Sequence, residues 1–299
     1  MTMTSSCKPA ADVAPAMDDF APAKVNLYLQ VVGRRPDGYH LLDSLVVFAG
    51  VGDTIRVRPS DRLSLAIEGP TAAALSGMGD NVVLKAAERL AEAAGIPAHA
   101  DIILEKRLPV AAGIGGGSAD GAATLRALCR LWKLSPDAGV LSSIALSLGA
   151  DVPVCLAGRP TQMGGIGEIL APAVPLPSAW LVLVNPRVGL STPAVFKARG
   201  GNFSPVAPLD EAPATASDLA RMLRDRSNDL MAPAISLAPV VAEMLSAIDA
   251  TPGCLLARMS GSGATCFGLF ADEASAGAAA RVLTQDHPGW WIAAAPVLS

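Results

Sequence analysis

The stretch PVAAGIGGGSADGAATLRAL, residues 109 to 128, sets Gly113, Gly115, Gly116 and Gly117 directly before a helical pattern. Glycine permits positive φ and lets a ligand approach the main chain, so such a run can aim several N–H groups at one point. A helix N-terminus adds roughly half a positive charge there. With DIILEK (101–106) reading as a strand before it, the order strand, bare loop, helix predicts a phosphate cradle that needs no lysine within the loop. A flexible turn or a tightly packed helix entrance would use the same residues. Two phosphate signatures are absent: no Lys follows the glycines as GxxxxGK[ST] requires, and Ser118 stands where GxGxxG needs its last glycine. Protein-kinase signatures are missing too.

Any anion this chain binds must be held by such local groups, because the net charge of −4 supplies no basic field for a nucleic-acid backbone. The 299 residues, 51% hydrophobic, suffice for two ordinary domains. Five scattered cysteines form no CxxC pair or His/Cys cluster, which predicts neither a disulfide framework nor a zinc site and fits a reducing cytoplasm. No uncharged stretch reaches the about 20 apolar residues of a membrane span. Residues 1–20 lack a basic start and a continuous apolar run, so they read as a ragged leader outside the fold.

Residues 24–31, KVNLYLQV, alternate Val25, Leu27, Leu29 and Val31 with Lys24, Asn26, Tyr28 and Gln30, which predicts a half-buried strand. The turn GRRPDGYH follows, then short strands at SLVVF, DTIRVR and LSLAI. Asp80 or Asn81 is placed to cap a helix through Ala94, stopped by Gly95 and Pro97. The helix after the glycines is expected over 118–132. Ser135, Pro136 and Asp137 read as N-cap, first position and first-turn acid of another helix, ended by Gly149. Later come a strand at 179–185, helices near 217–224 and 236–249, a hairpin of 254–260 with 265–270, a helix at 273–285 and a strand at 290–294. That order suggests a split βαβ layer and a two-domain α/β protein, divided into 21–165 and 166–299.

The run PVAAGIGGGSAD resembles the second motif of the GHMP kinases, a family of small-molecule kinases. APAKVNLYLQVVGRRPDGYHLLDSL (21–45) resembles the first motif and MSGSGATCFGLF (259–270) the third, with GADVPVCLAG (149–158) and STPAVF (191–196) in family order. The resemblance covers nearly everything from Ala21 to Phe270. It implies the two-domain GHMP kinase fold: a β-rich α/β domain carrying the phosphate loop, a C-terminal ferredoxin-like α/β domain, and the site in the cleft between them. PAKxNLxL and RxDGYH point to the branch whose acceptor alcohol carries a cytidine diphosphate. The implied reaction is direct transfer of the ATP γ-phosphoryl to a hydroxyl of that small molecule, with no nucleic-acid or membrane partner. Oligomeric state is left open.

Lys24 and Asn26 lie two apart on a strand, roughly 7 Å along one face, where a lysine alone would read as a solvated edge. The resemblance makes Lys24 catalytic and Asn26 a substrate contact. Asp151, in an uncharged run, fits a surface or a pocket equally; the resemblance makes it the catalytic carboxylate that accepts the hydroxyl proton. Tyr39 and His40 fall on the base-recognising run, and Thr192, Pro193 and Phe196 on a second one whose ring packs on the same base. For ATP, the resemblance implies Pro109, Val110, Ala111, Ala112, Gly113, Ile114, Gly115, Gly116, Gly117, Ser118 and Ala119 around the phosphates, with Lys106, Asn81 and Asp120 near the nucleotide. Read without it, those three are a strand-end charge, a helix cap and a first-turn acid. Mg²⁺ on the β- and γ-phosphates is expected, with Ser118 a candidate ligand and the remaining ligands unassigned. Rival readings are a homoserine or mevalonate kinase, which needs neither GYH nor TPAVF, and a non-catalytic nucleotide-binding protein, which needs neither Lys24 nor Asp151.

Overall fold

The computed structural model describes residues 16–75 and 81–299. Its frame is an antiparallel pair of long strands, β1 (Met17–Arg34) and β2 (His40–Arg58), joined by the turn in which Arg35 N–H donates to Tyr39 O. Both strands exceed expectation. SLVVF and DTIRVR are one continuous β2, because β1 pairs along its whole length through register shifts at Pro22/Ala23, Asn26/Tyr28 and Val31/Gly33. The expected leader ends earlier than residue 20: Met17–Phe20 pair with Thr54–Val57, and Asp19 is held by Arg126 at 2.7 Å and Arg130 at 2.8 Å. The strand over 24–31 is buried on both faces instead of one, since the polar side chains Lys24, Asn26, Tyr28 and Gln30 are covered by other parts of the chain.

Next in order are β3 (Leu63–Glu68), α1 (Val82–Ala94), β4 (Ala100–Glu105), α2 (Gly116–Leu131), α3 (Ala138–Leu148), α4 (Val152–Ala157), β5 (Thr161–Gly165) and β6 (Ile169–Pro172). Asn81 caps α1 by accepting the Val83 N–H at 2.9 Å, and Gly95 ends it at φ +65°; Asp80 lies outside the described residues. At α3 the cap position is Asp137 and not Ser135, which leaves Pro136 ahead of the helix; Gly149 ends it as expected. Helix α2 starts at Gly116, two residues before the expected Ser118, because Gly115 at φ +61° already turns the chain in. Helices α1 and α2 bury Leu90, Ala122 and Leu125 in one apolar cluster with Phe48, Ile55 and Ile102 of the sheet.

The second half contains β7 (Trp180–Asn185), α5 (Thr192–Ala198), α6 (Ala216–Arg224), α7 (Met231–Leu237), α8 (Val240–Asp249), β8 (Leu256–Met259), β9 (Cys266–Phe270), α9 (Glu273–Asp286) and β10 (Trp291–Leu298). Its strands order as β10-β7-β9-β8, all neighbours antiparallel, with α8 and α9 on an apolar face that holds Val182, Val184, Cys266 and Phe270. This is the split βαβ layer. Two features blur the expected division at 165/166. The β5–β6 hairpin straddles it, and β10 runs from β7 onto Phe48 and Ala49 of β2, joining both halves into one sheet. A hairpin is a single pairing unit, so a cut at 165/166 would fall between its two strands. Among the described residues, no helix is long and apolar enough to cross a membrane.

Candidate active site

Between the halves lies a cleft of about 1380 Å³. Its floor is the segment 109–115, which the chain holds from two sides: Lys24 N–H donates to Ile114 O at 2.9 Å, and Thr265 N–H to Ala112 O at 3.1 Å. The glycines are needed where that segment meets other backbone. A Cβ on Gly113 (φ +74°) would lie 2.4 Å from Gly263 O, and one on Gly115 would lie 3.1 Å from the Lys24 side chain. Gly113 therefore lets the glycine loop dock on the turn Ser260–Gly263. Gly116, Gly117 and Ser118 form the first turn of α2, so its unpaired N–H groups open at the cleft, the arrangement that suits a phosphate chain.

On β1, Lys24 is almost fully buried and its Nζ meets Asp151 Oδ2 at 3.0 Å and Asn26 Oδ1 at 3.0 Å. Asn26 is oriented in turn: its Nδ2 donates to Ser44 Oγ at 2.8 Å, and that hydroxyl donates to Tyr28 O at 2.6 Å. Asp151 arrives from the other side, at the N-terminal end of α4, and keeps 37% of its side chain exposed where it lines the cleft. Lys24, Asn26 and Asp151, distant in sequence, thus meet at one point. The buried ammonium engages one oxygen of a half-open carboxylate and leaves that carboxylate reachable by an incoming hydroxyl.

Lys106, Asn81 and Asp120 also line the cleft, with Lys106 Nζ and Asn81 Oδ1 bound within the protein and Asp120 Oδ1 buried without a partner among the described residues. Asn81 caps α1. Lys106 Nζ is bound by Asp53 Oδ2 at 2.5 Å and Asp120 Oδ2 at 2.7 Å, with all three side chains inaccessible. Burial pulls the lysine toward neutrality, yet Asp120 and Asp53 together outweigh it and hold its pKa above the ordinary value. Burial pushes the Asp120 carboxyl up, with Lys106 opposing and Asp53 adding to the rise. Sequence reasoning missed Asp53. Its Oδ1 accepts the N–H of Arg107 at 2.6 Å and of Leu108 at 2.8 Å, anchoring the chain just before the glycines. The visible signal was an acid at the head of the DTIRVR run.

At the far end, the His40 and Phe196 rings stack with centroids 5.0 Å apart and planes 26° from parallel. Tyr39 is exposed beside them at the cleft wall, 61% accessible. The run at 192–196 lies on the short helix α5, with Pro193 in its first turn and Phe196 facing the cleft. Thr192 Oγ1 lies 2.7 Å from Ser262 Oγ, tying that helix to the glycine turn. Partial burial, and then the charges of Arg34 and Arg199, hold the His40 pKa below the usual imidazole value. A neutral imidazole offers one donor and one acceptor, the pair needed to read a base edge.

A glycine loop at a helix mouth, facing a lysine–aspartate pair across a cleft, defines a small-molecule phosphotransferase. The model of the GHMP kinases N terminal domain matches residues 81–159, and that of the GHMP kinases C terminal region matches 213–288. The chain belongs to the GHMP kinases. It is 63% identical to 4-diphosphocytidyl-2-C-methyl-D-erythritol kinase of Paramagnetospirillum magneticum over 93% of this chain and 98% of that protein. With the enzyme of the same name from Rhodospirillum rubrum it shares 58% identity over 96% and 93% of the two chains. A crystal structure of 4-(cytidine 5'-diphospho)-2C-methyl-D-erythritol kinase superposes with a TM-score of 0.78 at 36% identity, covering 95% of this chain and all of that one. Homoserine kinase from Cytophaga hutchinsonii shares the fold, with a TM-score of 0.70 at 18% identity.

Proposed function

We infer that the chain transfers the γ-phosphoryl group of ATP to the 2-hydroxyl of 4-diphosphocytidyl-2-C-methyl-D-erythritol, a step in non-mevalonate synthesis of isoprenoid precursors. The observation that carries this reading is the Lys24–Asp151 contact of 3.0 Å, set in the same cleft as the glycine loop and the His40–Phe196 stack. Relatives 51–63% identical over most of the chain carry that enzyme's name, which favours it over a homoserine or mevalonate kinase.

In this reading the amides of 113–118 grip the triphosphate. Asp151 accepts the proton of the acceptor hydroxyl, or orients it, while Lys24 holds the carboxylate in place and polarises the hydroxyl. Asn26 holds the Lys24 ammonium from behind and borders the acceptor. Tyr39, His40, Pro193 and Phe196 surround the cytosine, and Thr192 fixes their helix. Pro109, Val110, Ala111 and Ala112 line the nucleotide side, with Lys106, Asn81 and Asp120 behind.

The donors suit a magnesium ion held mainly by phosphate oxygens: among the described residues no cluster of three His, Cys, Asp or Glu side chains forms a cage, while Ser118 and Asp151 offer hard oxygen atoms at the cleft. There Mg²⁺ would neutralise charge on the transferred group. A cytoplasmic setting is supported by the four cysteines among the described residues, all free and two of them buried.

The deciding measurement is ATP-dependent phosphorylation of the cytidine substrate against its uridine analogue, with homoserine and mevalonate alongside. The cytidine compound is expected to dominate kcat/KM; equal use of the uridine analogue, or preference for either alcohol, overturns the reading. His40→Ala is expected to raise the acceptor KM with little change in kcat, and a pure kcat loss would remove His40 from base reading.

A further inference from the structure

Residues Ser227, Asn228, Asp229 and Leu230, between α6 and α7, carry no phosphate-binding or base-reading signature, yet they touch each part of the acceptor side. The segment lies along the free edge of β1: Leu29 N–H donates to Ser227 O at 3.0 Å and Asp229 N–H to Leu29 O at 2.9 Å, a parallel bridge between Leu29 and Asn228. Asn228 is buried, and both hydrogens of its side-chain amide are used, one on Met259 O and one on Gly261 O, each at 2.8 Å. Its Oδ1 accepts Leu230 N–H at 2.9 Å. The two carbonyls it holds flank Ser260. Ser260 Oγ accepts Asn26 N–H at 3.1 Å and donates to Gly113 O at 3.2 Å, while a Cβ on Gly261 would sit 2.9 Å from Gly113 O.

We propose that Asn228 is a positioning residue for phosphoryl transfer, holding the turn Ser260–Gly263 so that Ser260 fixes strand β1 at Asn26 and the glycine loop at Gly113 in mutual register. The inference rests on reading the cleft as a kinase site. Asn228 itself lines no part of the cleft, so it acts through the backbone it holds, at the turn around Ser260 and at Leu230. A two-donor amide is what two converging carbonyls require. Aspartate, with the same shape, keeps the acceptor for Leu230 but sets an oxygen against both carbonyls. Register matters because a misplacement of about 1 Å in a reacting pair costs about 10²-fold in rate.

The test compares Asn228→Asp and Ser260→Ala with the unaltered enzyme, using kcat and both KM values at temperatures well below unfolding, thermal melts, and amide hydrogen exchange at residues 259–265. Asn228→Asp is expected to lower kcat about 10²-fold while each KM stays within about threefold, with faster exchange confined to the turn. Ser260→Ala should lower kcat in the same way but less, and the double variant should lose less than the product of the two single losses, since both act on one link. A kcat within twofold of the unaltered enzyme for Asn228→Asp overturns the proposal, as does a loss matched by exchange spread across β2. Should Asn228→Asp fail to fold, unaltered kcat in Ser260→Ala overturns it alone. If the unaltered protein phosphorylates no cytidine diphosphate acceptor, the functional reading has failed, and exchange at the turn decides the positioning role separately.

Discussion

Two lysines sit against aspartates in this cleft, and they differ in what is left over. Lys106 is enclosed by Asp53 and Asp120, three side chains at 3% exposure or less, and Asp53 spends both oxygens on three donors. Lys24 meets a carboxylate that is more than a third exposed and of which it engages one oxygen. The first cluster is closed and joins β2 to the segment entering the glycine loop. The second is open, with a charged oxygen acceptor presented to whatever enters the cleft. An unpaired oxygen that is open to the cleft, more than the presence of a Lys–Asp contact, separates the group fitted for chemistry from the group fitted for architecture, since Asp120 Oδ1 is also unpaired but buried.

Asparagine at one aspartate of each cluster sharpens the contrast. Asp151→Asn removes the proposed proton acceptor, and kcat is expected to fall by about two to four powers of ten with little change in ATP affinity. Steady-state kinetics with an ATP-analogue titration checks this; unchanged kcat would take Asp151 out of the mechanism. Asp53→Asn acts on the other axis. Both Asp53 oxygens accept, so the amide –NH₂ must face a donor whichever way it turns, and the buried Lys106 charge loses half its compensation. Stability is expected to drop by about 3–5 kcal/mol in urea unfolding, as when a buried pair is broken. A loss below about 1 kcal/mol would mean the cluster is no more structural than a surface pair.

Much of the open cluster was legible in the sequence and little of the closed one. Lys24, Asn26 and Asp151 fall on motif runs, and the limits of α1 follow from Asn81 and Gly95, whose cap geometry is local chemistry. Asp53 meets Lys106 across 53 positions, and nothing in the residues around either announces the other. For the same reason β1 and β2 were underestimated, since their length comes from cross-strand pairing with bulges. Alternation in 24–31 suggested one wet face, but the polar side chains are covered by residues distant in sequence: Asp151 on Lys24, Ser44 on Asn26, and Gln162 and Arg226 on Tyr28.

A third variant tests the closed cluster through pH. Burial raises the Asp120 carboxyl from 3.8 to about 7. A carboxyl harder to ionise in the fold than in the unfolded chain contributes stability that is complete below its unfolded pKa and lost as pH rises through the folded one. Between about pH 4 and pH 7 the unaltered protein should therefore lose stability relative to Asp120→Asn, read as converging or crossing unfolding curves. Parallel curves would show that Asp120 does not titrate in that window.

The smallest expected effect closes the comparison. Asp151→Asn, so damaging to turnover, should shift unfolding free energy by less than about 1 kcal/mol, because a side chain this exposed is screened by water. The amide can also turn its oxygen to Lys24, since Lys24 engages one carboxylate oxygen, and Asn26 Oδ1 remains as the ammonium's second acceptor. At Asp53 neither compensation exists. Urea unfolding of the two asparagine variants side by side measures the difference directly. A loss at Asp151 equal to that at Asp53 would show that the open pair carries fold stability too, and partial exposure would then not distinguish the carboxylate proposed for chemistry from the structural ones.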